Sequence, residues 1–376
     1  MEIVSKLRTN CPSPDKRGYR RNGFQYGPVI LPGSWNYLRV ASNSGGGGNK
    51  PWVIPLHRLF REGRKYIVES MAVRLKGKIA VVAGASRGCG RGIAVALGEE
   101  AATVYVTGRT VRGGPPPTDG VSGTIEETAE EVTRRGGVGI PVRIDCTNAG
   151  EVKVLFDRVR TEHGCLDIFA CAVWGGNAHF VDPIWKQPFW NLPAEFWDHF
   201  MGAGPQAFWV GAREAAGLMS EHYSGLIVAI GEPMIEPDKL SGNLQWDVFE
   251  HLPHYAINRL VTVLAPEARK AGITLLGLLP GFMKTERVQV HMQDEALHKL
   301  YRYDLAESPE YTGRAVAALA SDSTVSVKSG RLIFVGDSAR EYGFTDIDGR
   351  YIENFYRATK MLLDKVYLGG VVSKPE

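Results

Sequence analysis

Gly84, Gly88, Gly90 and Gly92 follow an apolar run at 79–83 and precede a second apolar run with helical spacing, Ile93, Ala94 and Leu97. A junction of strand, glycine turn and helix does one piece of chemistry well, which is to hold an anion. The first N–H groups of a helix have no intrahelical acceptor and carry the positive end of its dipole. A phosphate seats against them. Glycine is needed where the chain turns tightly and where a side chain would block a pyrophosphate. The spacing is G-x-x-x-G-x-G, which differs from the commoner G-x-G-x-x-G. Gly84, Ser86, Arg87, Gly88 and Gly90 are therefore the candidate phosphate contacts. A plain strand–helix turn is the bland alternative.

A second charged feature follows the next strand, 103–107, which ends at Gly108-Arg109. An acidic residue at that strand end binds the 2′-hydroxyl of NAD, whereas a basic one accommodates the 2′-phosphate of NADP. Arg109 is that residue here and points to NADP rather than NAD; Arg87 sits inside the glycine turn, and two solvated arginines are the competing reading.

These residues need a frame to hold them. Thr124-x-x-Glu127 is a capping box opening a helix that stops before Gly136-Gly137. A strand is expected at 140–144, ending at Asp145, then a helix at 150–163 with Val152, Leu155, Phe156 and Val159 on one face. Further strands are read at 166–173, 226–230, 273–279 and 332–335. Long helices are read at 193–221 and 253–271. Ser308-Pro309-Glu310 starts another, with proline at the first helical position. Strands alternating with helices require an α/β fold with a parallel, doubly wound sheet.

The stretch VVAGASRGCGRGIAVAL resembles the first βα unit of the short-chain dehydrogenases/reductases, and the resemblance spans about 71–350. It implies a single Rossmann-type doubly wound parallel sheet flanked by helices, binding NAD(H) or NADP(H). It implies that Asp145 touches the adenine. Pro280-Gly281-Phe282-Met283-Lys284-Thr285 resembles the family's P-G-x-x-x-T, so Pro280, Gly281 and Thr285 are expected at the nicotinamide end.

The family's acid/base set is a tyrosine with a lysine one helical turn later, a serine and an asparagine. The tyrosine needs a positive neighbour, because a phenol has a reference pKa of about 10. Here the serine position holds Glu232 and the asparagine position Gly204. Two registers stay open for the dyad. The local pattern gives Tyr255 and Arg259, with arginine in place of lysine. The family's usual distance to Pro280 gives Glu250 and His254 instead. Glu232 would repel a developing oxyanion when ionised, and could donate a hydrogen bond when protonated.

The function expected is an NADP(H)-dependent oxidoreductase acting on a carbonyl/alcohol pair. The alternative is a catalytically degraded nucleotide-binding protein of the same fold, acting as sensor or scaffold. Trp174, Trp185, Trp190, Trp197 and Trp209 cluster with phenylalanines, half of them in a loop at 175–193 that could wall an apolar substrate. Core packing is the competing reading.

The 376 residues carry a formal charge of +3. Residues 1–70 are strongly basic and the remainder mildly acidic, which argues against a nucleic-acid partner. No apolar run is long enough to span a membrane. Five scattered cysteines without a C-x-x-C pair argue for reduced thiols, a cytoplasmic location and no metal site. Residues 1–70 are expected to be disordered, a transit segment, or upstream of the true start; 351–376 form a helical tail. The resemblance implies a homodimer or homotetramer through the two long helices.

Overall fold

The computed structural model describes residues 37–40, 52–55, 73–115, 117, 120–176, 187–233, 244–291, 293, 295–300 and 302–359. The chain divides into two compact units, residues 1–72 with 348–350 and residues 73–347 with 351–376. In the first, Tyr37–Val40 pairs antiparallel with Trp52–Pro55. Four-residue strands are too short for alternation to show in sequence, so this hairpin was not expected.

Among the described residues the second unit holds seven strands: β1 (Ile79–Ala83), β2 (Thr103–Gly108), β3 (Val138–Arg143), β4 (Ile168–Cys171), β5 (Gly225–Ile230), β6 (Ile273–Leu279) and β7 (Leu332–Phe334). They form one parallel sheet in the order β3-β2-β1-β4-β5-β6-β7. β1, β4 and β6 are buried along their whole length. That is why they read as unbroken apolar runs rather than alternating ones. β3 is one of the two edge strands and tolerates Pro141, which cannot donate to a ladder.

The helices follow the strands: α1 (Gly88–Glu99), α2 (Ile125–Arg134), α3 (Ala149–His163), α4 (Glu195–Met201), α5 (Ala207–Ser220), α6 (Leu244–Lys270), α7 (Glu286–His291), α8 (Glu295–Leu300), α9 (Pro309–Ser321), α10 (Val335–Tyr342) and α11 (Phe355–Thr359). The expected caps are present. Thr124 and Glu127 form the capping box of α2, and Ser308 caps α9 through the Tyr311 N–H.

Two helices differ from expectation. The helix read at 193–221 is broken by a π-helical turn, Gly202–Gln206, because Pro205 supplies no N–H to the regular ladder. The helix read from 253 starts at Leu244, leaving Pro253 inside it. Pro253 is buried against Gly204, where a β-carbon would approach its ring to 3.3 Å. The tail begins as α11, with Phe355 and Tyr356 packed on Leu279 and Phe334, and residues 360–376 lie outside the described set. Cys89, Cys146 and Cys171 are free thiols.

The register aligns the strand ends. Ala83 pairs with Thr107 and Cys171, Cys171 with Ala229, and Ile230 with Leu278. The segments after β1, β4, β5 and β6 therefore emerge at one carboxyl edge. The order reverses between β1 and β4, which is where an open parallel sheet binds ligands.

Candidate active site

At the switch point Gly84 adopts φ +76°, and a β-carbon there would lie 2.8 Å from the Ala172 carbonyl oxygen. Glycine is thus required both by the backbone conformation and by the approach of the segment after β4. Gly90 packs so tightly on the Gly84 carbonyl that no side chain fits. Ser86 lies against Gly108 at the end of β2. Arg87 precedes α1 and donates to the Val121 carbonyl.

The turn holds an anion. The Gly88 N–H, the first in α1, donates to the Glu286 carboxylate at 2.8 Å. Thr285 is adjacent, its methyl 3.6 Å from where a Gly88 β-carbon would sit. The Pro280–Thr285 turn and the glycine turn, far apart in sequence, therefore face each other. The space reserved by glycine and the Gly88 N–H, which already faces a carboxylate, fit an anionic group such as a dinucleotide pyrophosphate.

Arg109, directly after β2, is exposed and lies 3.8 Å from Asp145. Burial pushes the Asp145 carboxyl up, but Thr147 hydrogen bonds and Arg109 outweigh it and hold it below the usual range.

At the other end Glu232, just past β5, pairs with His251 Nδ1 at 2.5 Å and lies 3.7 Å from His254 Nδ1. All three side chains are mostly buried. His251, His254, Tyr255 and Asn258 share one face of α6, spaced three and four residues apart. Tyr255 stacks on His251, with ring centroids 6.0 Å apart and planes at 15°. Asn258 donates to the Glu232 carbonyl at 2.5 Å.

The sequence-based candidates thus separate. Glu232 and His254 come together, and Tyr255 joins them through His251. Arg259 is exposed, opposite the buried Ile257 and Val261 on the helix. Glu250 lies in α6, with its side chain outside the described residues. His251 was missed because it belongs to neither dyad register. Its one signal is its spacing from His254 and Tyr255.

Beside this cluster, Trp174 packs with Phe200, while Phe196 and Phe200 meet Phe249. Arg287 is buried and stacks over the Trp174 ring at 5.6 Å. Phe189, Trp190, Trp197 and Trp209 are exposed, and the 177–186 part of the loop, with Trp185, lies outside the described residues.

The family model described as enoyl-(acyl carrier protein) reductase matches residues 84–335. This chain belongs to the short-chain dehydrogenase/reductase family. Dehydrogenase/reductase SDR family member 1 of Mus musculus is 35% identical over 296 residues, covering 76% of this chain and 88% of that protein. Its Homo sapiens namesake is 33% identical over 313 residues, covering 81% and 94%. NADPH-dependent aldehyde reductase 2, chloroplastic, of Arabidopsis thaliana is 25% identical over 63% of this chain and 84% of its own length. The fold is shared with a short-chain dehydrogenase from Mycobacterium thermoresistibile, at TM-score 0.59 and 20% identity over 80% of this chain and 97% of that one. As a short-chain dehydrogenase/reductase the protein is of oxidoreductase type, a family that takes small-molecule substrates and NAD(P). Among the described residues no helix is long and apolar enough to cross a membrane, and no cluster of His, Cys, Asp and Glu could hold a metal ion.

Proposed function

We propose that this protein is an NADP(H)-dependent oxidoreductase acting on a carbonyl/alcohol pair. The observation that carries the reading is the meeting of Thr285 with Gly88 at the sheet's switch point. NADP over NAD is supported by Arg109 at the end of β2. A carbonyl substrate is supported by the relation to the Arabidopsis NADPH-dependent aldehyde reductase 2.

When bound, the nicotinamide supplies or accepts the hydride. The chain's own task is to give the carbonyl oxygen a proton, or take one from the alcohol. Glu232 facing a developing oxyanion directly would oppose the reaction. Behind His251 it favours it. Bonded to Nδ1, the carboxylate stabilises the imidazolium and leaves Nε2 as the proton-transfer atom. His254 adds a second imidazole near the same carboxylate. Tyr255 buttresses the His251 ring. Glu250 is the competing acid on the same helix.

Titrating the full chain with NADPH and NADH by fluorescence, then assaying an aldehyde panel, tests this. Tight NADPH binding with turnover lost in His251→Gln but retained in Tyr255→Phe and Glu250→Gln is the expected result. Loss in Tyr255→Phe or Glu250→Gln alone would move the acid to that residue. Binding without turnover would favour a cofactor sensor, and no binding would overturn the proposal. We place the protein in the cytoplasm as a homodimer or homotetramer, with exposed Trp197, Trp209, Leu252 and Val263 offering apolar surface on α4, α5 and α6.

A further inference from the structure

Glu307 is a buried carboxyl group that the proton-transfer scheme does not use. It is 2% exposed and stands two residues before α9. One oxygen accepts the Gly281 N–H at 3.1 Å, and the other bonds the Thr312 hydroxyl at 3.0 Å. Its backbone clamps the same turn from the side. The Glu307 N–H donates to the Phe282 carbonyl, and the Lys284 N–H donates to the Glu307 carbonyl, each at 2.8 Å. Phe355 closes the far side of Gly281. A buried charged carboxylate needs a cation or several donors. The titratable groups facing Glu307 are the Cys89 thiol from α1, the Tyr311 hydroxyl from α9 and the Asp346 carboxyl after α10. Among the described residues no cation faces it.

We infer that Glu307 is the positioning residue of the cofactor-facing turn, and that it works as an uncharged acid. The inference rests on the reading that Pro280–Thr285 holds the nicotinamide end of the cofactor. In the neutral form the C=O accepts from Gly281 and the acid O–H donates to the Thr312 oxygen, so both groups are satisfied. Burial pushes this carboxyl up to about 8, with Asp346 adding to the shift and the Gly281 and Thr312 hydrogen bonds opposing it. Above that pH the group must hold a charge facing only neutral or acidic neighbours. The turn then opens to let water reach it. Glutamine reproduces the neutral form atom for atom: its C=O accepts from Gly281 and its NH₂ donates to Thr312.

Two measurements on the full chain test the inference. NADPH is titrated by fluorescence at pH 6.5 and pH 9 against wild type, Glu307→Gln and Glu307→Ala. Glu307→Gln is expected to match wild type within about twofold at pH 6.5 and to bind at least about fivefold tighter at pH 9. Glu307→Ala is expected to bind about tenfold more weakly at both, the cost of one unmade hydrogen bond to the turn. Hydrogen exchange of 280–285 without cofactor is the second measurement. It should quicken in Glu307→Ala, and quicken with pH beyond the intrinsic rate in wild type but not in Glu307→Gln. Parallel pH profiles in wild type and Glu307→Gln would overturn the inference. Failure of wild type to bind NADPH, with the exchange pattern as expected, would overturn the cofactor reading and leave Glu307 as the holder of the turn.

Discussion

The carboxamide of Asn258 occupies the space that a side chain on residue 231 would need. A β-carbon on Gly231 would run into Asn258 Oδ1, and the same carboxamide donates to the Glu232 carbonyl at 2.5 Å. Gly231, next to the Glu232 that stands at the family's serine position, is therefore half of a packing exchange: it carries no side chain, and the volume is filled from α6.

Adding a side chain at that position should overpack a buried contact. Gly231→Ser is expected to cost about 1–3 kcal/mol, the usual range for added volume in a packed interior. The double variant Gly231→Ser/Asn258→Ala should recover part of the loss, because the clash and its partner are removed together. Denaturant unfolding of the four proteins of the cycle gives the coupling. Additive losses would show that the two positions do not share the space.

Glu286 sets up a competition at the glycine turn. Its carboxylate accepts the Gly88 N–H that a pyrophosphate would use, and it adds negative charge there. Glu286→Gln removes the charge while keeping an acceptor. NADPH affinity should rise by roughly threefold to tenfold, a gain of about 1 kcal/mol, and most clearly at low salt. Fluorescence titration at two ionic strengths measures it. An unchanged or weaker affinity would mean that Glu286 organises the turn rather than opposing the phosphate.

Arg109 is exposed and loosely paired with Asp145 at 3.8 Å, so it can turn to a 2′-phosphate without breaking a buried contact. Arg109→Ala should weaken NADPH binding by about tenfold, the worth of one charge-assisted contact, while NADH binding stays within twofold. Equal losses for both nucleotides would assign Arg109 to the fold of the adenosine end instead of to cofactor choice.

What the sequence made legible was local. The glycine turn, the Thr124 and Ser308 caps and the apolar strands each rest on residues within a few positions of one another. The helix breaks were less legible. Pro205 falls in a π-helical break while Pro253 is carried inside a long helix, and no local pattern separates the two outcomes. The cluster of Glu232, His251 and His254 was only half visible. Glu232 and His254 could be found by counting from known motifs, but His251 matters because a strand end from another part of the chain meets it. Glu307 looked like an ordinary acidic residue ahead of a helix. Its burial is made by the Gly281 turn and Thr312, and by nothing adjacent in sequence.

That burial has a measurable consequence for stability. The Glu307 carboxyl titrates near 4.5 when unfolded and is raised to about 8 in the fold. The native state therefore holds its proton over a range where the unfolded chain has lost it. Stability falls wherever the native state binds more protons. The contribution of this residue is thus full below about pH 4.5 and is progressively lost as pH rises to about 8, where it levels off. The total is on the order of a few kcal/mol. Glu307→Gln has no such proton to lose. Its stability relative to wild type should climb between pH 5 and pH 8 and then hold steady. Urea unfolding of the two proteins across pH 5–9 tests the sign as well as the size. A constant difference would show that Glu307 is already ionised in the native protein at pH 5.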